Sequence, residues 1–376
     1  MTARKAFSLA TGADTAGVSV RLAQAFKSNP DWCVRSMVAT SNYIKYPQDL
    51  PYSVPSLQHQ YDEADLVILN STMHGHRWYD RGQGKPTIIM HHGFHYGHFD
   101  RNIHECVADA ADFGATQVGS TVNLELLAPL GPPGSDTVTW LPTAYDMDWL
   151  RLMRDTYYKP HEGLIRIAHA PTDRAIKSTK AVISAVEQLK TRGFPVELVL
   201  IERQTWSQTM ILKGNCDILV DQLNLGYGCN AIEAWGLGIP VIGAVNEHPD
   251  WRRHMIDRFG LIESPTRLPF YETDEDGLQQ ALLDMVSSQA LREDWGAIGW
   301  THAMRHHSNE SVTKLATSLF ESASLLPTKP SSAPLTQLKG DTQAQRLNEL
   351  RRIRAEQRLQ AVQLQQSRHL PTAKDQ

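Results

Sequence analysis

The amino-acid sequence predicts an α/β protein with two parallel-sheet domains, followed by a linker and a helical tail. Short apolar runs alternate with helical patterns of apolar residues, which is typical of parallel sheets covered by helices. A polar stretch at residues 156–162 divides this alternation into two halves, and a Pro- and Ser-rich stretch follows the second half. The 376 residues suffice for two domains of about 150 residues each. We therefore predict domains at residues 1–155 and 156–325, a linker at 326–338 and a basic tail at 339–376.

In the first half, short apolar runs bounded by turn residues predict strands. These runs occupy residues 6–11, 33–40, 64–70, 87–91, 117–120 and 138–141. Between the first two strands, residues 16–27 are predicted to form a helix, because Val18, Leu22 and Phe26 recur at helical spacing and Pro30 follows.

The same alternation resumes in the second half. Strands are predicted at residues 164–169, 196–201, 218–220 and 239–242. Helices are predicted at residues 178–190 and 230–237, and the rest of this half to about residue 323 is predicted to be helical, including residues 276–286 and 311–322. Gly193 closes the first of these helices and Gly238 caps the second, because glycine readily adopts the left-handed conformation that ends a helix.

Composition excludes several classes of protein. Hydrophobic residues make up 41% and charged residues 21% of the chain, which is typical of a folded domain and excludes wholesale disorder. No apolar run approaches the roughly 18 residues that span a membrane, and residues 1–16 hold none suited to a signal peptide. The four cysteines form no CxxC pair, which argues against a disulfide framework or a cysteine zinc site. We therefore expect a cytoplasmic protein without a transmembrane segment.

The formal net charge of −4 is unevenly distributed. Residues 339–376 carry eight basic and four acidic side chains, so residues 1–338 carry a net charge of −8. The negative charge of residues 1–338 argues against broad adsorption to nucleic acid. Residues 342–367 contain no Gly or Pro and predict a helix with a thin apolar stripe. This helix is either solvated or docks a protein partner or a second copy, and its sparse bulky apolar residues disfavour a membrane-surface role.

The turn after the first predicted strand is a candidate ligand site. Gly12 and Gly17 lie in this turn, and glycines allow a backbone to approach a ligand closely. The N-terminus of the following helix offers N–H groups to an anion. The turn does not match GxGxxG, so a dinucleotide fingerprint is not supported. It is either a phosphate or sugar site or an ordinary tight turn.

Seven histidines lie within residues 74–104. Zinc binding is disfavoured because the segment has no HExxH motif and no carboxylate at metal-ligand spacing. His91 and His92 end a predicted strand, at the edge where a parallel sheet presents residues to ligands. We expect His92 to be the site histidine, because Gly93 opens space beside it.

Arg174 and Lys177 lie between a predicted strand and a predicted helix in the second half. Two cations and helix N–H groups suit a diphosphate, because a nucleoside diphosphate leaves with more negative charge than it had when it entered. The alternative is a pair of solvated surface cations.

A glycine loop at residues 226–228 opens a short helix that carries Asn230 and Glu233. Glu233 lies among apolar residues, and a buried carboxylate needs a partner. A ribose diol would serve, and a helix cap or an ion pair is the alternative.

In this order, the two segments resemble the donor-binding half of retaining family 4 glycosyltransferases, which have the glycosyltransferase-B fold. That family has an Arg-x-x-x-Lys-type loop, then a Gly-Phe/Tyr-Gly loop, then Glu-Ala-x-x-x-Gly-x-Pro-Val. Arg174 and Lys177 match the cationic pair at a slightly shorter spacing. The later motifs are matched by Gly226, Tyr227, Gly228, Glu233, Ala234, Gly238, Pro240 and Val241. Residues 138–146 resemble the family's crossing between domains, so Asp146 and Asp148 are interpreted as part of that crossing and not as a metal-binding pair.

The resemblance implies two Rossmann-like domains facing a cleft, and transfer of a sugar from a UDP- or GDP-linked donor to an acceptor hydroxyl with retention of anomeric configuration. It implies that Arg174 and Lys177 hold the diphosphate, that Glu233 holds the ribose and that His92 contacts the sugar or the reacting centre. It also implies that neither a metal nor a cofactor is needed. The donor-binding set predicted in this way is Gly12, Gly17, Gly226, Tyr227, Gly228, Asn230 and Glu233.

One position departs from the family pattern. The family has two glutamates separated by seven residues, and the residue eight positions before Glu233 is Leu225. Asp221 or Asn224 is the candidate for supplying a polar group nearby. Two other functions share such a cleft: a nucleotide-sugar epimerase of the same fold, and a non-catalytic nucleotide-sugar-binding or scaffold protein. The acceptor stays open between polysaccharide, lipid, protein and modified nucleic acid.

Overall fold

The computed structural model describes residues 2–10, 14, 16–40, 42–70, 85–92, 117–121, 138–159, 163–223, 226–245 and 267–326. These residues belong to one compact unit of the chain. The predicted tail, most of the predicted linker, Gly12, Asn224 and Leu225 lie outside the described residues. Among the described helices, none is both long and apolar enough to cross a membrane.

The first half forms a parallel sheet of six strands in the order β2-β1-β3-β4-β5-β6. The six predicted strands of this half are confirmed, with ends that shift by at most two residues. Their bounds are Arg4–Ala10 (β1), Trp32–Val38 (β2), Leu66–Asn70 (β3), Thr87–His91 (β4), Gln117–Ser120 (β5) and Val138–Trp140 (β6). The inner strands β3 and β4 carry continuous apolar runs, at residues 66–69 and 88–90, because helices cover both faces of a parallel sheet.

The second half forms a parallel sheet of five strands in the order β11-β10-β9-β7-β8. Its four predicted strands are confirmed, and the two-residue strand β11 had no apolar run to reveal it. The bounds are Ile165–His169 (β7), Val196–Leu200 (β8), Ile218–Val220 (β9), Val241–Gly243 (β10) and Tyr271–Glu272 (β11). In each sheet the strand order reverses once, between β1 and β3 and between β7 and β9. Open α/β sheets bind ligands beyond the carboxyl ends of the strands at such points.

The described helices are α1 (Val18–Ala25), α2 (Val54–Glu63), α3 (Met147–Tyr157), α4 (Thr179–Thr191), α5 (Trp206–Gly214), α6 (Cys229–Gly236), α7 (Leu278–Ser287), α8 (Gln289–His307) and α9 (Asn309–Leu325). The predicted helices correspond to α1, α4, α6, α7 and α9, and are confirmed. The helices α2, α3 and α5 were not predicted, although each begins at a capping residue. The Asp146 carboxylate accepts the Trp149 N–H at 2.9 Å, and Thr205 and Gln208 form a capping box at the start of α5.

The last helix, α9, completes the core of the first sheet. Its Phe320 ring stacks on Phe26 at a centroid distance of 5.3 Å and meets the edge of Trp32 at 5.2 Å. Its other buried residues in the same cluster are Val312, Ala316, Leu319 and Ala323. The predicted second domain, residues 156–325, includes α9, whereas the structure packs α9 against the first sheet. A separate cluster on β7, β9, α4 and α7 forms the core of the second sheet.

Two histidines of α8 hold Tyr227 behind the glycine loop. The Tyr227 oxygen lies 3.1 Å from Nε2 of His307 and 3.2 Å from Nε2 of His302, and Nδ1 of His307 lies 3.1 Å from the Thr143 carbonyl oxygen. A carbonyl oxygen only accepts, so Nδ1 of His307 carries the hydrogen and its Nε2 accepts from the tyrosine hydroxyl. Burial lowers the pKa of His302 well below its ordinary value and that of His307 to about 3. Both rings are therefore neutral near pH 7.

Lowering the pH from 7 to 5 should lower the free energy of unfolding, partly through these two histidines. A histidine of the unfolded chain has a pKa of about 6.5 and takes up a proton over this range, whereas the buried rings stay neutral. The unfolded state then binds more protons, so stability is full above about pH 6.5 and is lost as the pH falls toward the folded pKa. His307, whose folded pKa is about 3, should account for about 2 kcal/mol at pH 5, and His302 contributes in the same direction.

Urea unfolding at pH 7 and pH 5 measures this loss. His307→Gln should lose less stability than the wild type between the two pH values, because one titrating group is gone. His59→Gln, at an exposed position of α2, should retain the wild-type loss. Equal losses in the wild type and His307→Gln would contradict the assignment.

Removing the Phe320 ring should show that α9 belongs to the first core. Phe320→Ala leaves a cavity between Phe26 and Trp32, and should lower the free energy of unfolding by about 3–5 kcal/mol. Leu315→Ala, on an exposed part of the same helix, should cost less than about 1 kcal/mol. Denaturant unfolding of both variants provides the comparison, and similar losses would argue against a core role for α9.

Candidate functional site

A cavity of about 350 Å³ lies where the carboxyl ends of the two sheets face each other. The first half lines it with residues that follow β1, β2 and β4, among them Ala16, Tyr43, Tyr46 and His92. The second half lines it from the segments after β7 and β8 and from α5 and α6, among others with Lys177, Arg203, Trp206, Asn230 and Glu233. The cavity therefore lies at the edge where both sheets are expected to bind a ligand.

Two residues that follow β9 hold the side-chain ammonium of Lys177. Its Nζ donates to Oδ1 of Asp221 at 2.9 Å and to Oε1 of Gln222 at 2.8 Å, while Oδ2 of Asp221 accepts the Gly228 N–H at 2.8 Å. Burial of Asp221 favours its neutral form, but the Lys177 ammonium and the Gly228 N–H outweigh burial and lower the pKa of Asp221. The result is an ionised pair at the cavity wall that also anchors the glycine loop.

The structure separates the two cations that were predicted to act together. Arg174 is exposed and forms a forked ion pair with Glu202, at 2.7 Å and 2.5 Å, and it does not line the cavity. Arg203 lines the cavity instead, with a φ of 53° in the left-handed region. Sequence analysis missed Arg203, although its place just after a predicted strand at the sheet edge was a usable signal.

His92 occupies the edge position that the sequence predicts. Its Nε2 lies 3.1 Å from Oδ1 of Asn70 and its Nδ1 lies 3.3 Å from Oγ1 of Thr121. The Asn70 amide nitrogen donates to Oγ of Ser8 at 2.7 Å, which identifies the amide oxygen as the atom that faces His92. The Nε2 of His92 therefore carries a hydrogen, and residues at the ends of β3 and β5 orient the ring beside the cavity.

The Asp14 side chain occupies the anion-binding position at the N-terminus of α1. The Asp14 carboxylate accepts the N–H groups of Val18 at 2.9 Å, Ser19 at 3.1 Å and Val20 at 3.3 Å, in the position that an anionic ligand would take. Gly17 has a φ of 67°, and a Cβ at this residue would lie 2.9 Å from the Tyr46 ring. These contacts give Gly17 a conformational role, and its predicted part in donor binding stays a prediction.

Glu233 accepts three hydrogen bonds beneath the cavity. Its Oε1 accepts from Nη2 of Arg21 at 2.9 Å and from Nε1 of Trp206 at 3.0 Å, and its Oε2 accepts from Nζ of Lys213 at 2.5 Å. Burial alone raises the pKa of this carboxyl, but Lys213 and Arg21 outweigh burial and lower it. Glu233 is therefore ionised, and most of its acceptor positions are occupied.

Arg21 joins the two halves of the unit. It lies on α1, beside the first sheet, while Glu233 lies on α6, beside the second. The guanidinium carbon of Arg21 lies 3.7 Å from the ring centre of Tyr145, 5.0 Å from that of Tyr46 and 5.4 Å from that of Trp206. Three aromatic rings thus enclose the cation.

Asn230 links the same cluster to the second sheet. Its Oδ1 accepts from Nζ of Lys213 at 2.6 Å, and its Nδ2 donates to the carbonyl of Ala170 at 2.7 Å, just after β7. Sequence analysis missed Arg21, Lys213 and Trp206, because no local motif marks them.

Four of the predicted site residues line one cavity: His92, Lys177, Asn230 and Glu233. The Tyr227 ring lies against Trp235 at a centroid distance of 4.9 Å, and the N–H of Gly226 donates to the Ala244 carbonyl. Among the described residues, no three His, Cys, Asp or Glu side chains are placed to hold a metal ion. The other six histidine side chains of the segment 74–104 lie outside the described residues.

No protein-family model matches the chain, and no curated protein matches its sequence. Solved structures do match its fold. An alpha-glucosyltransferase in complex with UDP and DNA has 12% sequence identity and a TM-score of 0.59, over 85% of this chain and 99% of that one. Anabaena HepE in complex with UDP and glucose has 12% identity and a TM-score of 0.57, over 85% and 100% of the two chains. S. aureus MnaA with UDP has 12% identity and a TM-score of 0.53, over 88% and 100%.

At this level of identity the matches define the fold alone. The described residues form two parallel α/β halves, whose strand ends face one cavity. The chain therefore has the glycosyltransferase-B fold, as the sequence predicts.

Proposed function

We propose that this chain transfers a sugar from a nucleoside diphosphate sugar to an acceptor hydroxyl. The observation that carries the proposal is the convergence of Lys177, His92 and Glu233 on one cavity between the two halves. Structures with this fold hold UDP, which favours a uridine donor over a guanosine donor.

Lys177 and Arg203 are the groups best placed to hold the diphosphate. Both line the cavity, and α4 begins beside Lys177 without a side-chain cap on its N-terminus. Cations in a partly dry site stabilise the charge that develops on a leaving diphosphate more strongly than in water. Arg174 would join them after releasing Glu202, a small cost because exposed ion pairs are weak.

Glu233 and His92 would hold the two ends of the donor. The Glu233 carboxylate uses three of its roughly four acceptor positions on protein donors, which leaves one for a ribose hydroxyl. His92 presents its ring from the opposite half, where it would contact the sugar. Both carboxylate oxygens of Asp221 accept hydrogen bonds, one from Lys177 and one from Gly228. We therefore propose that Asp221 orients Lys177 and does not bind the sugar directly.

The proposed reaction proceeds with retention. The bond from the anomeric carbon to the leaving phosphate oxygen breaks, the acceptor oxygen bonds to the same face, and the acceptor proton passes to the departing diphosphate. Lys177 and Arg203 would neutralise the leaving group, so the proposal needs no metal and no cofactor. An epimerase would convert the donor without an acceptor, and a binding protein would hold the donor without turnover.

Removing the Lys177 ammonium should weaken binding of UDP. Lys177→Met takes away a charged hydrogen-bond donor to the diphosphate, and the dissociation constant of UDP should rise at least about tenfold. Lys180→Met, an exposed position three residues later, is the matched control and should change the constant less than about twofold. Isothermal titration, with thermal unfolding as a check of folding, measures both. Wild-type affinity in Lys177→Met would rule out the assigned role.

Removing the His92 ring should affect turnover more than binding. His92→Ala should lower the rate of UDP release from UDP-glucose by about 100-fold if the ring acts at the reacting centre. The affinity for UDP should stay within about threefold of the wild type, since UDP lacks the sugar. His59→Ala, exposed on α2, is the control. Unchanged UDP release in His92→Ala would exclude His92 from the reaction.

A further inference from the structure

The ion cluster beneath the cavity contains more positive charge than its carboxylate requires. Arg21 and Lys213 both contact Glu233, and the three side chains are at most 5% exposed. Lys213 alone would neutralise the carboxylate, so Arg21 is a second buried cation on Glu233, and the buried Asp14 carboxylate at the start of α1 also acts on its charge. Burial of a second cation beside one carboxylate is costly, and it calls for an explanation beyond neutralising Glu233.

The position of Arg21 is determined from several sides. Tyr145, Tyr46 and Trp206 surround its guanidinium group, and the Trp206 backbone N–H donates to the Ile44 carbonyl at 2.6 Å across the two halves. Within the part of the chain that the structure describes, the buried Nη1 of Arg21 has no hydrogen-bond partner. A buried donor without a partner is rare in folded proteins because it costs free energy. Arg21 occupies this place in spite of that cost.

The carboxylate that Arg21 contacts also lines the cavity. Arg21 and Trp206 both donate to Oε1 of Glu233, which fixes the plane of the carboxylate from the first half and from α5. A ligand that binds Glu233 therefore interacts with a group whose orientation depends on the opposite half. Since the coupling of two sites is reciprocal, ligand binding at Glu233 also affects the contact between the halves.

We propose that Arg21 is a positioning residue of the donor site, which orients Glu233 toward the ribose diol from the opposite half and adds positive charge beneath the diphosphate. The inference rests on the proposed function, because it takes the ligand of Glu233 to be the ribose of a nucleoside diphosphate. It assigns to the first half, beside the proposed contact of His92 with the sugar, an influence on how Glu233 recognises the ribose.

The test is the preference for a ribose diol, measured by isothermal titration with UDP and with 2′,3′-dideoxyuridine diphosphate. The wild type should bind UDP at least about tenfold more tightly, because a hydrogen bond to a carboxylate is lost in the analogue. Arg21→Met should reduce this ratio to about threefold or less, and Arg21→Lys should give an intermediate ratio, since lysine keeps the charge but not the planar fork. Arg35→Met, which breaks an exposed ion pair with Asp49 in the same half, should keep the wild-type ratio.

A general loss of structure would weaken both ligands equally and leave the ratio unchanged. A wild-type ratio in folded Arg21→Met therefore overturns the inference while leaving the proposed function intact. If Arg21→Met does not fold, Arg21→Lys takes its place, and a wild-type ratio there is equally decisive. A wild-type protein that binds neither ligand overturns the proposed function, and this inference with it.

Discussion

The buried contact between Arg21 and Glu233 is the interaction on which the cavity depends. It connects α1 of the first half to α6 of the second at 2.9 Å, and Glu233 itself forms part of the cavity. A buried ion pair adds little net stability compared with apolar residues of the same shape, but loss of one partner costs about 3–5 kcal/mol. The pair is therefore better explained by the place it gives to Glu233 than by stability.

Backbone strain is concentrated around the same cavity. Among the described residues, three non-glycine residues have positive φ angles: Lys45, Ser178 and Arg203. Lys45 lies between two lining residues, Arg203 is itself a lining residue, and Ser178 follows Lys177. Each such conformation costs of order 1 kcal/mol and persists only where the surrounding structure imposes it. The hydrogen bond from the Trp206 N–H to the Ile44 carbonyl is one such constraint beside Lys45.

The sequence predicted the features that depend on local pattern. Buried strands such as residues 87–91 are continuous apolar runs, so both their position and their ends could be recognised. The helices that sequence analysis missed begin at caps and not at clear apolar periodicity. Contacts between distant residues leave no such signal. Arg21 and Glu233 are 212 positions apart, and the prediction of α1 used only the spacing of its apolar residues. Likewise, the spacing of Arg174 and Lys177 could not reveal that Glu202 binds one of them and Asp221 the other.

The charges of the side chains that line the cavity bear on which ligands the site favours. Among the described lining residues the charged ones are Lys177, Arg203 and Glu233, with a net charge of +1. Residues 1–338 as a whole carry a net charge of −8. The net negative charge of residues 1–338 repels anions in general, while a positively charged cavity attracts anions that are small enough to enter it. A nucleoside diphosphate is a small anion of this kind, so the charge of the cavity agrees with the proposed donor.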